Sequence, residues 1–382
     1  MTHKPKILLI SHSSNKVGGG EDDFARILNY LQGKFIIYSF FPDGDRAEEY
    51  AKLSDKHLII PGRIFPGDKF NIKTALAFVF FTAKKVIMIL NFFRKNKNID
   101  LCFVNSSVCI VEMLLLKFLR KPYVISIKEK LNPAFLRKYV YKIIDKSASK
   151  IIVISEFLKS LLKETIKNKE VRIIRASIEE DLCKKFISVT TVPQNKNKFN
   201  ILNIGQIYPM KNQLLLIEAA GRLKNKNSVL IKFIGFVVDK KYYNYLLRKI
   251  NDLRLQNLFE FRGALNKNEI FYEYLNSDAV VITAKEEGMS LVFVEALFFE
   301  KPVISTKVGV VPEVLVNGEN GIILDEINSD MLAESIDNLI DNKILYNKFR
   351  NNSRITFENN FNLEKNLEEH LEIFYECINK KY

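Results

Sequence analysis

Residues 284–296 read Ala-Lys-Glu-Glu-Gly-Met-Ser-Leu-Val-Phe-Val-Glu-Ala, a combination that can bind a charged, hydroxyl-rich ligand. A predicted strand ends at residue 283, a glycine-containing turn follows, and a helix is predicted to begin near Ser290. The backbone N–H groups and the positive dipole end of a helix start can hold a phosphate or a sugar oxygen. Glu287 in the turn and Glu295 on the second helical turn can accept hydrogen bonds from hydroxyls of a ribose or a hexose.

Other readings of these residues stay open. Two glutamates at this spacing are common by chance, and a solvated loop followed by a carboxylate near a helix start would look the same. Lys211 lies at another predicted helix start, where the dipole disfavours a cation unless an anion is close. Gly18, Gly19 and Gly20 follow the first strand, so their backbone could approach a ligand closely, or they form a flexible turn.

No metal-binding or redox pattern accompanies these candidates. The four cysteines show no CxxC spacing and predict reduced thiols rather than a disulfide framework. The acidic triplet Asp43-Gly44-Asp45 follows the second predicted strand and is interpreted as a turn. We therefore expect no metal and no cofactor.

Apolar β-branched runs alternate with helical patterns along the chain, which indicates an α/β fold of parallel sheets with crossover helices. The predicted strands are 6–11, 35–40, 57–60, 101–105, 123–127, 151–154, 171–175, 200–204, 229–234, 258–261, 279–283 and 303–306. The polar segment 189–198 lacks periodicity, so the domain boundary is placed there. Two doubly wound, Rossmann-like domains are predicted, residues 1–190 and 191–360, followed by a helix at 361–382 that packs back on the first. Such sheets bind ligands at the carboxyl ends of their strands, so the domains are expected to face a central cleft.

The formal net charge of +14 is concentrated in the first half. Residues 1–190 hold 34 Lys+Arg against 19 Asp+Glu, whereas the remainder holds 24 against 25. A basic surface indicates an anionic partner such as membrane lipid or a phosphorylated acceptor. A lysine-rich composition explains part of the excess, but it would have raised both halves alike. Nucleic acid is not expected, because no recognisable RNA- or DNA-binding motif is present.

Residues 70–95 form a long aromatic and aliphatic segment with a helical pattern. Lys84 and Lys85 fall near its middle and oppose a membrane span. The helix either lies in a lipid interface or packs on the sheet as a crossover helix. Residues 117–150 add ten basic side chains against two acidic ones, so peripheral attachment of the first domain to an anionic membrane surface is an expectation. The apolar run at 7–10 is too short for a signal peptide, which favours a cytoplasmic location.

The second half resembles the family-four retaining glycosyltransferases with the GT-B fold. The pieces that carry the resemblance occur in the family's order, at residues 205–212, 261–263, 287–295, 301–305, 309, 312–313 and 317–321. The first half resembles the family more weakly, at residues 17–21, 121–124 and 153–156. The resemblance implies transfer of a hexose-type sugar, with retention, from a nucleotide-sugar donor to a glycan or lipid-linked acceptor. Cell-surface polysaccharide synthesis (lipopolysaccharide, O-antigen or capsule) is the implied setting.

The resemblance also implies residue roles. Lys211 neutralises the donor diphosphate, Glu295 holds the ribose hydroxyls, and Glu287 contacts the transferred sugar. The donor is further bound by Gly18 and Gly19, by Gly205 and Gln206, by the base-contacting backbone of Gly263 and Ala264, and by the turn residues Gly288, Met289, Ser290, Leu291 and Val292.

Two positions depart from the family. Gln206 stands where the family usually has Arg, which removes a diphosphate cation. Lys128 stands where a His is common; it either holds a sugar hydroxyl or donor phosphate as a third catalytic residue, or belongs to a basic surface loop. An alternative function is therefore a catalytically weak, glycosyltransferase-like binding or partner subunit.

Overall fold

The computed structural model describes residues 4–15, 19–62, 72–191 and 198–379 of the 382-residue chain. Residues 1–175 and 364–382 form one compact unit, and residues 176–363 form a second. Each unit is built on a fully parallel sheet, which confirms the predicted α/β class with two Rossmann-like domains.

The first unit contains seven strands in the order β3-β2-β1-β4-β5-β6-β7. The strands are β1 Lys6–Ile10, β2 Ile36–Phe41, β3 Lys56–Ile59, β4 Leu101–Val104, β5 Tyr123–Ile127, β6 Lys150–Val153 and β7 Val171–Ile173. The helices between them are α1 Gly19–Leu31, α2 Ala47–Lys52, α3 Ile72–Lys95, α4 Ile110–Phe118, α5 Ala134–Ser147 and α6 Glu156–Leu162. The central strands β4, β5 and β6 are buried along their whole length, as expected for a sheet covered on both faces.

The second unit contains six strands in the order β10-β9-β8-β11-β12-β13. The strands are β8 Phe199–Ile204, β9 Val229–Ile234, β10 Phe259–Gly263, β11 Ala279–Ile282, β12 Val303–Ser305 and β13 Ile322–Ile323. The helices are α7 Glu180–Val189, α8 Gln213–Ala220, α9 Lys240–Asp252, α10 Lys267–Asn276, α11 Leu291–Phe298, α12 Val311–Val314, α13 Ser329–Asp341 and α14 Lys343–Asn360. The strand order reverses between β8 and β11, and this switch point is where doubly wound sheets bind ligands.

Helix α7 groups with the second unit, although the sequence placed the domain boundary after it. Cys183 on α7 is buried, Phe186 packs edge-on against Phe271 of α10 with 5.6 Å between ring centroids, and Glu179 pairs with Lys267 at 3.3 Å. The polar segment at 189–198 gave no hint of these contacts, because they join residues far apart in the chain.

The last helix, α15 (Leu363–Asn379), packs on the first unit. Phe374 contacts Phe103 of β4 with 5.3 Å between ring centroids, and Tyr375 stacks on Phe35 at 5.3 Å. Glu376 pairs with Lys150 and, at 3.0 Å, with Arg172, so the helix is fixed by both apolar and ionic contacts.

Helix α3 is the long helix predicted between residues 70 and 95. Its second half packs as a crossover helix, because Ile89 and Phe93 are buried, whereas Phe78, Val79 and Phe80 in its first half are exposed. Among the helices that the structure describes, none combines the length and apolar character that crossing a membrane requires.

Candidate functional site

The turn after β8 and the turn after β11 meet at the carboxyl edge of the second sheet, at its switch point. Thr283 Oγ1 donates to the carbonyl of Lys211 at 2.8 Å, and the backbone N–H of Lys285 donates to the carbonyl of Met210 at 2.8 Å. These bonds hold together two segments that the sequence had singled out separately.

Lys211 and Glu287 form an ion pair within this junction. The distance from Lys211 Nζ to Glu287 Oε1 is 2.7 Å, and the two side chains are 23% and 11% exposed. Residues 76 positions apart, both predicted to be catalytic, thus lie in direct contact. The pair therefore places a cation and a carboxylate side by side at the carboxyl edge of the sheet. Lys211 can bind an anion there, and Glu287 can accept a hydrogen bond from a hydroxyl.

Glycines at the ends of three neighbouring strands let the backbone close this edge tightly. Gly205 follows β8 and donates to the carbonyl of Ile234 at 2.8 Å, while Gly235 follows β9 and donates to the carbonyl of Gly263 at 2.8 Å. A Cβ on Gly235 would lie 2.1 Å from the carbonyl oxygen of Gly205, and its φ of +147° also favours glycine. The aliphatic chain of Lys211 covers Gly205, since a Cβ there would lie 3.3 Å from Lys211 Cδ.

The remaining predicted donor contacts on this side are more open. Gln206 is exposed, and its carbonyl accepts from Gln213 Nε2 at 3.0 Å. Gly263 and Ala264 are exposed at the end of β10, and a Cβ on Gly263 would meet nothing within 4 Å. A planar group could therefore lie against this backbone without steric conflict.

Ser290 caps the start of α11 in an unusual conformation. Its φ of 74° and ψ of 80° place it in the left-handed region, which is uncommon for a residue with a side chain. Its side-chain oxygen is buried and, within the part of the chain described, makes no hydrogen bond. The backbone N–H groups of Leu291 and Val292 open the helix, where amides lack intrahelical partners. The Ser290 hydroxyl, which has no hydrogen-bond partner among the described residues, therefore lies beside amides that lack an intrahelical partner. Such a group of donors can bind an anion.

Gly309 fixes the turn that contains Gly288 and Met289. A Cβ on Gly309 would lie 2.4 Å from the carbonyl oxygen of Met289, and that same oxygen accepts from the N–H of Val310 at 3.0 Å. Met289 is buried, and its sulfur accepts from the N–H of Ala176 at 3.2 Å. The turn before α11 is therefore fixed through Met289, by the Gly309–Val310 backbone and by the N–H of Ala176.

Glu295, on the second turn of α11, is oriented by a tyrosine that the sequence did not indicate. Tyr274 Oη donates to Glu295 Oε2 at 2.8 Å, and the Tyr274 ring stacks on Phe299 with 5.1 Å between centroids. Burial, together with the Glu295 charge, raises the pKa of Tyr274 well above its usual range, so the phenol remains a donor. Cys183 is also near: burial, with Glu295 adding to it, raises its pKa to about 12.

Lys128 lies in the first unit, in a buried charge cluster. It pairs with Asp23 of α1 and donates to Asn105 Oδ1 at 2.7 Å, and its side chain is 10% exposed. Burial raises the pKa of Asp23, but the charges of Lys128, Arg26 and His370 outweigh this and lower it to about 2. The Lys128 ammonium is thus occupied by Asp23 rather than lying on a basic surface loop.

The first residues of α1 lie beside this cluster. Gly19 is the first residue of α1, and the carbonyl of Gly20 accepts from Asn105 Nδ2 at 3.1 Å. A Cβ on Gly20 would lie 3.9 Å from Lys128 Cδ. Gly18 lies outside the described residues, so its predicted contact stays a prediction.

Most of the second unit matches a known protein family in sequence. Residues 188–356 match the family described as glycosyl transferases group 1. This segment is therefore similar to the group 1 glycosyl transferases. An uncharacterized glycosyltransferase from Methanocaldococcus jannaschii, MJ1178, is 28% identical over 229 residues, which cover 60% of each protein. The capsular polysaccharide biosynthesis glycosyltransferase CapM from Staphylococcus aureus is 29% identical over 46% of this chain and 49% of its own length.

Two solved structures share the fold over nearly the whole chain. A glycosyltransferase from Rickettsia africae has a TM-score of 0.80 at 22% identity, covering 99% of this chain and 100% of its own. Anabaena Alr3699/HepE in complex with UDP and glucose has a TM-score of 0.78 at 19% identity, covering 97% and 100%. The fold is therefore GT-B, and the resemblance to family four is confirmed. The aligned segments span 60 to 64% of the length of three curated relatives.

Proposed function

We propose that the protein is a retaining glycosyltransferase that moves a hexose-type sugar from a nucleotide-diphosphate sugar to a glycan or lipid-linked acceptor. The observation that carries the proposal is the Lys211–Glu287 pair at the switch point, next to the start of α11. Such a donor has three chemical parts: a diphosphate, a leaving oxygen and sugar hydroxyls. This edge of the sheet brings together a cation, unpaired helix-start amides and a carboxylate, which can bind those parts.

Each part of the donor has a matching group. Lys211 and the amides of Leu291 and Val292 bind the diphosphate, and Glu287 accepts from a hydroxyl of the transferred sugar. Glu295, held by Tyr274, accepts from the ribose hydroxyls. The exposed backbone at Gly263 and Ala264 meets the base. The complexes of Anabaena Alr3699/HepE with UDP and with UDP-glucose support a nucleotide-sugar as donor.

Catalysis then consists mainly of stabilising the leaving group. The bond from the anomeric carbon to the diphosphate oxygen breaks, and Lys211 with the helix-start amides stabilises the negative charge that develops there. The acceptor hydroxyl attacks from the same face, its oxygen bonds to the anomeric carbon, and its proton passes to the departing diphosphate. The configuration is thereby retained. No metal and no cofactor enters this proposal; the nucleotide-sugar is itself the substrate.

We place this reaction in cell-surface polysaccharide synthesis, in the cytoplasm at the inner face of the membrane. Similarity to CapM and to the poly(ribitol-phosphate) α-N-acetylglucosaminyltransferase of Staphylococcus aureus supports the pathway. The exposed Phe78, Val79 and Phe80 on α3 and the basic first half support a membrane-bound acceptor.

Two measurements test the function. Thermal stabilisation by a panel of UDP-, GDP- and ADP-sugars identifies the donor, and NMR of the product formed from it gives the anomeric configuration. Retention is expected; inversion would refute the mechanism, and absence of stabilisation by every donor would refute the donor site.

A second function, a catalytically weak binding or partner subunit, is favoured by Gln206 and Lys128. Gln206 supplies no positive charge for the diphosphate, and Lys128 is already paired with Asp23. A donor that binds without hydrolysis or transfer in the presence of acceptors would support it.

A further inference from the structure

A basic pocket lies on the first unit at the amino ends of β4, β5 and β6. It has a volume of about 460 Å³. This "amino-edge pocket" is at the opposite end of these strands from their carboxyl edge, so it is separate from the residues at which ligands of doubly wound sheets bind. Among the residues that the structure describes, one carboxylate, Asp100, lines it, together with five cationic residues: Lys117, Arg120, Lys121, Lys146 and Lys169.

The cations of the amino-edge pocket are poorly compensated. Lys117, Arg120 and Lys146 are exposed, and in the described part of the chain none of them has a carboxylate oxygen within 4.0 Å. Lys121 donates to the carbonyl of Lys97 at 2.7 Å, and Asp100 accepts from the N–H of Lys6 at 2.7 Å. Converging like charges repel one another, so their field attracts an anion with several negative oxygens.

Apolar side chains lie next to the amino-edge pocket, in a neighbouring pocket and at the end of α4. A second pocket of about 460 Å³ shares Lys121 with it and is lined by Ile87, Leu90, Phe93 and Leu119 together with the basic Arg94 and Lys97. Phe118, at the end of α4, is 76% exposed, and Ile87 is 58% exposed. A soluble anion would need only the cations. Exposed aromatic and aliphatic groups among lysines and arginines fit instead the boundary between lipid headgroups and acyl chains.

We propose that this face of the first unit binds the phosphate-bearing headgroups of an anionic lipid bilayer. Lys117, Arg120 and Lys146 contact lipid phosphates, while Phe118 and Ile87 reach the acyl boundary. The proposal deepens the membrane location proposed above and rests on it. It uses no residue of the proposed donor site, so a failure of vesicle binding and a failure of sugar transfer are distinguishable.

Flotation of the full chain with phosphatidylcholine vesicles, with and without phosphatidylglycerol, tests the proposal. The wild-type chain is expected to bind only the anionic vesicles and to dissociate as salt is raised. The double variant Lys117→Glu/Lys146→Glu is expected to lower the partition coefficient by at least about 25-fold, because each basic residue near an anionic surface contributes about fivefold. The control Arg248→Glu/Lys343→Glu carries the same change in net charge at exposed helical positions of the second unit and should bind like the wild type.

Phe118→Ser tests the apolar contribution separately, since it leaves the net charge unchanged. It is expected to weaken binding to the anionic vesicles without altering its dependence on salt. Should the charge-reversed variant lose its circular dichroism spectrum, the neutral Lys117→Gln/Lys146→Gln variant replaces it, with about 25-fold weaker binding expected.

Several results would overturn the proposal. Wild-type protein that stays unbound at low salt excludes a bilayer, and equal losses in the two charge-reversed variants exclude this pocket as the site. Thermal stabilisation by inorganic phosphate in the absence of vesicle binding would assign the pocket to a soluble phosphate instead. Binding of oligonucleotides with a steep salt dependence, again without vesicle binding, would assign it to nucleic acid.

Discussion

Lys211 Nζ lies 2.7 Å from Glu287 Oε1, so the two side chains neutralise each other. A diphosphate that binds Lys211 must share or displace this carboxylate. In the proposed function, a hydroxyl of the transferred sugar then replaces Lys211 as the partner of Glu287. We therefore expect this ion pair to couple recognition of the two halves of the donor.

Removing the cation tests the proposed leaving-group role. Lys211→Ala should lower kcat/KM by about 10²- to 10³-fold, because a preorganised cation at a developing charge contributes on that scale. Steady-state kinetics with the identified donor measures the loss. Lys285→Ala is the matched control, since Lys285 is exposed in the neighbouring turn and contacts Met210 through its backbone. If both variants lose activity equally, the role assigned to Lys211 is wrong.

Neutralising the carboxylate should separate binding from catalysis. Glu287→Gln removes the charge that competes for Lys211, so a nucleoside diphosphate without sugar should bind about fivefold more tightly, the value of a partly exposed ion pair. Turnover of the complete donor should fall, because the amide is a weaker acceptor for the sugar hydroxyl. Isothermal titration calorimetry checks the first effect, and weaker binding of the diphosphate would contradict the exchange.

Tyr274 is expected to act as a positioning residue through Glu295. Tyr274→Phe deletes the 2.8 Å hydrogen bond and should raise the donor KM by about tenfold or more with a small change in kcat, as expected for a hydrogen bond to a charged group. Tyr272→Phe, on the same helix and 42% exposed, is the control. In a Glu295→Ala background the Tyr274 change should have no further effect on KM; an additive effect would mean that Tyr274 acts independently of Glu295.

The Asp23–Lys128 pair predicts acid sensitivity. The pKa of Asp23 falls from its usual 3.8 to about 2 in the folded protein, so the contribution of this carboxylate to folding is present above pH 4 and is lost as the pH falls through 2. The loss amounts to about 2 kcal/mol. Burial lowers the pKa of His370, so protonation of this imidazole favours the unfolded state. The free energy of unfolding therefore also falls as the pH drops below the usual pKa of histidine. Urea unfolding between pH 7 and pH 2 measures both.

The variant Asp23→Asn isolates the carboxylate. It should be destabilised at neutral pH, because it leaves Lys128 buried without its partner. Its stability should then change less than that of the wild type between pH 4 and pH 2. The same acid sensitivity in both proteins would place the titrating group elsewhere.

Local patterns were enough to predict most of the fold. Every strand predicted from an apolar run is present, and its ends lie within a residue or two of the predicted limits. Parallel strands that are buried on both faces consist almost entirely of apolar residues, so they stand out in the sequence. Strand β13 was missed, since Ile322–Ile323 is too short to show a pattern. The switch point follows from strand order, which a single sequence does not specify directly.

The candidate site was predicted only where a local motif marks it. Glu287, Ser290 and Glu295 lie on one turn and helix, so their proximity follows from spacing. Tyr274 and Gly235 were missed because their roles depend on contacts across the fold, with Glu295 and with Gly205. The burial of Lys128 was unforeseen for the same reason, since its partner Asp23 lies 105 residues away.

Gly235 provides the sharpest test of how the site edge is built. Gly235→Ala places a Cβ 2.1 Å from the carbonyl oxygen of Gly205, a backbone atom that cannot move without breaking the strand ends apart. The free energy of unfolding should fall by about 2 to 4 kcal/mol, from overpacking and backbone strain together. Gly318→Ala is the matched control: its φ is +79° but a Cβ would meet nothing within 4 Å, so only about 1 kcal/mol should be lost. Urea unfolding compares the two, and equal losses would show that conformation alone, rather than the contact with Gly205, requires glycine at position 235.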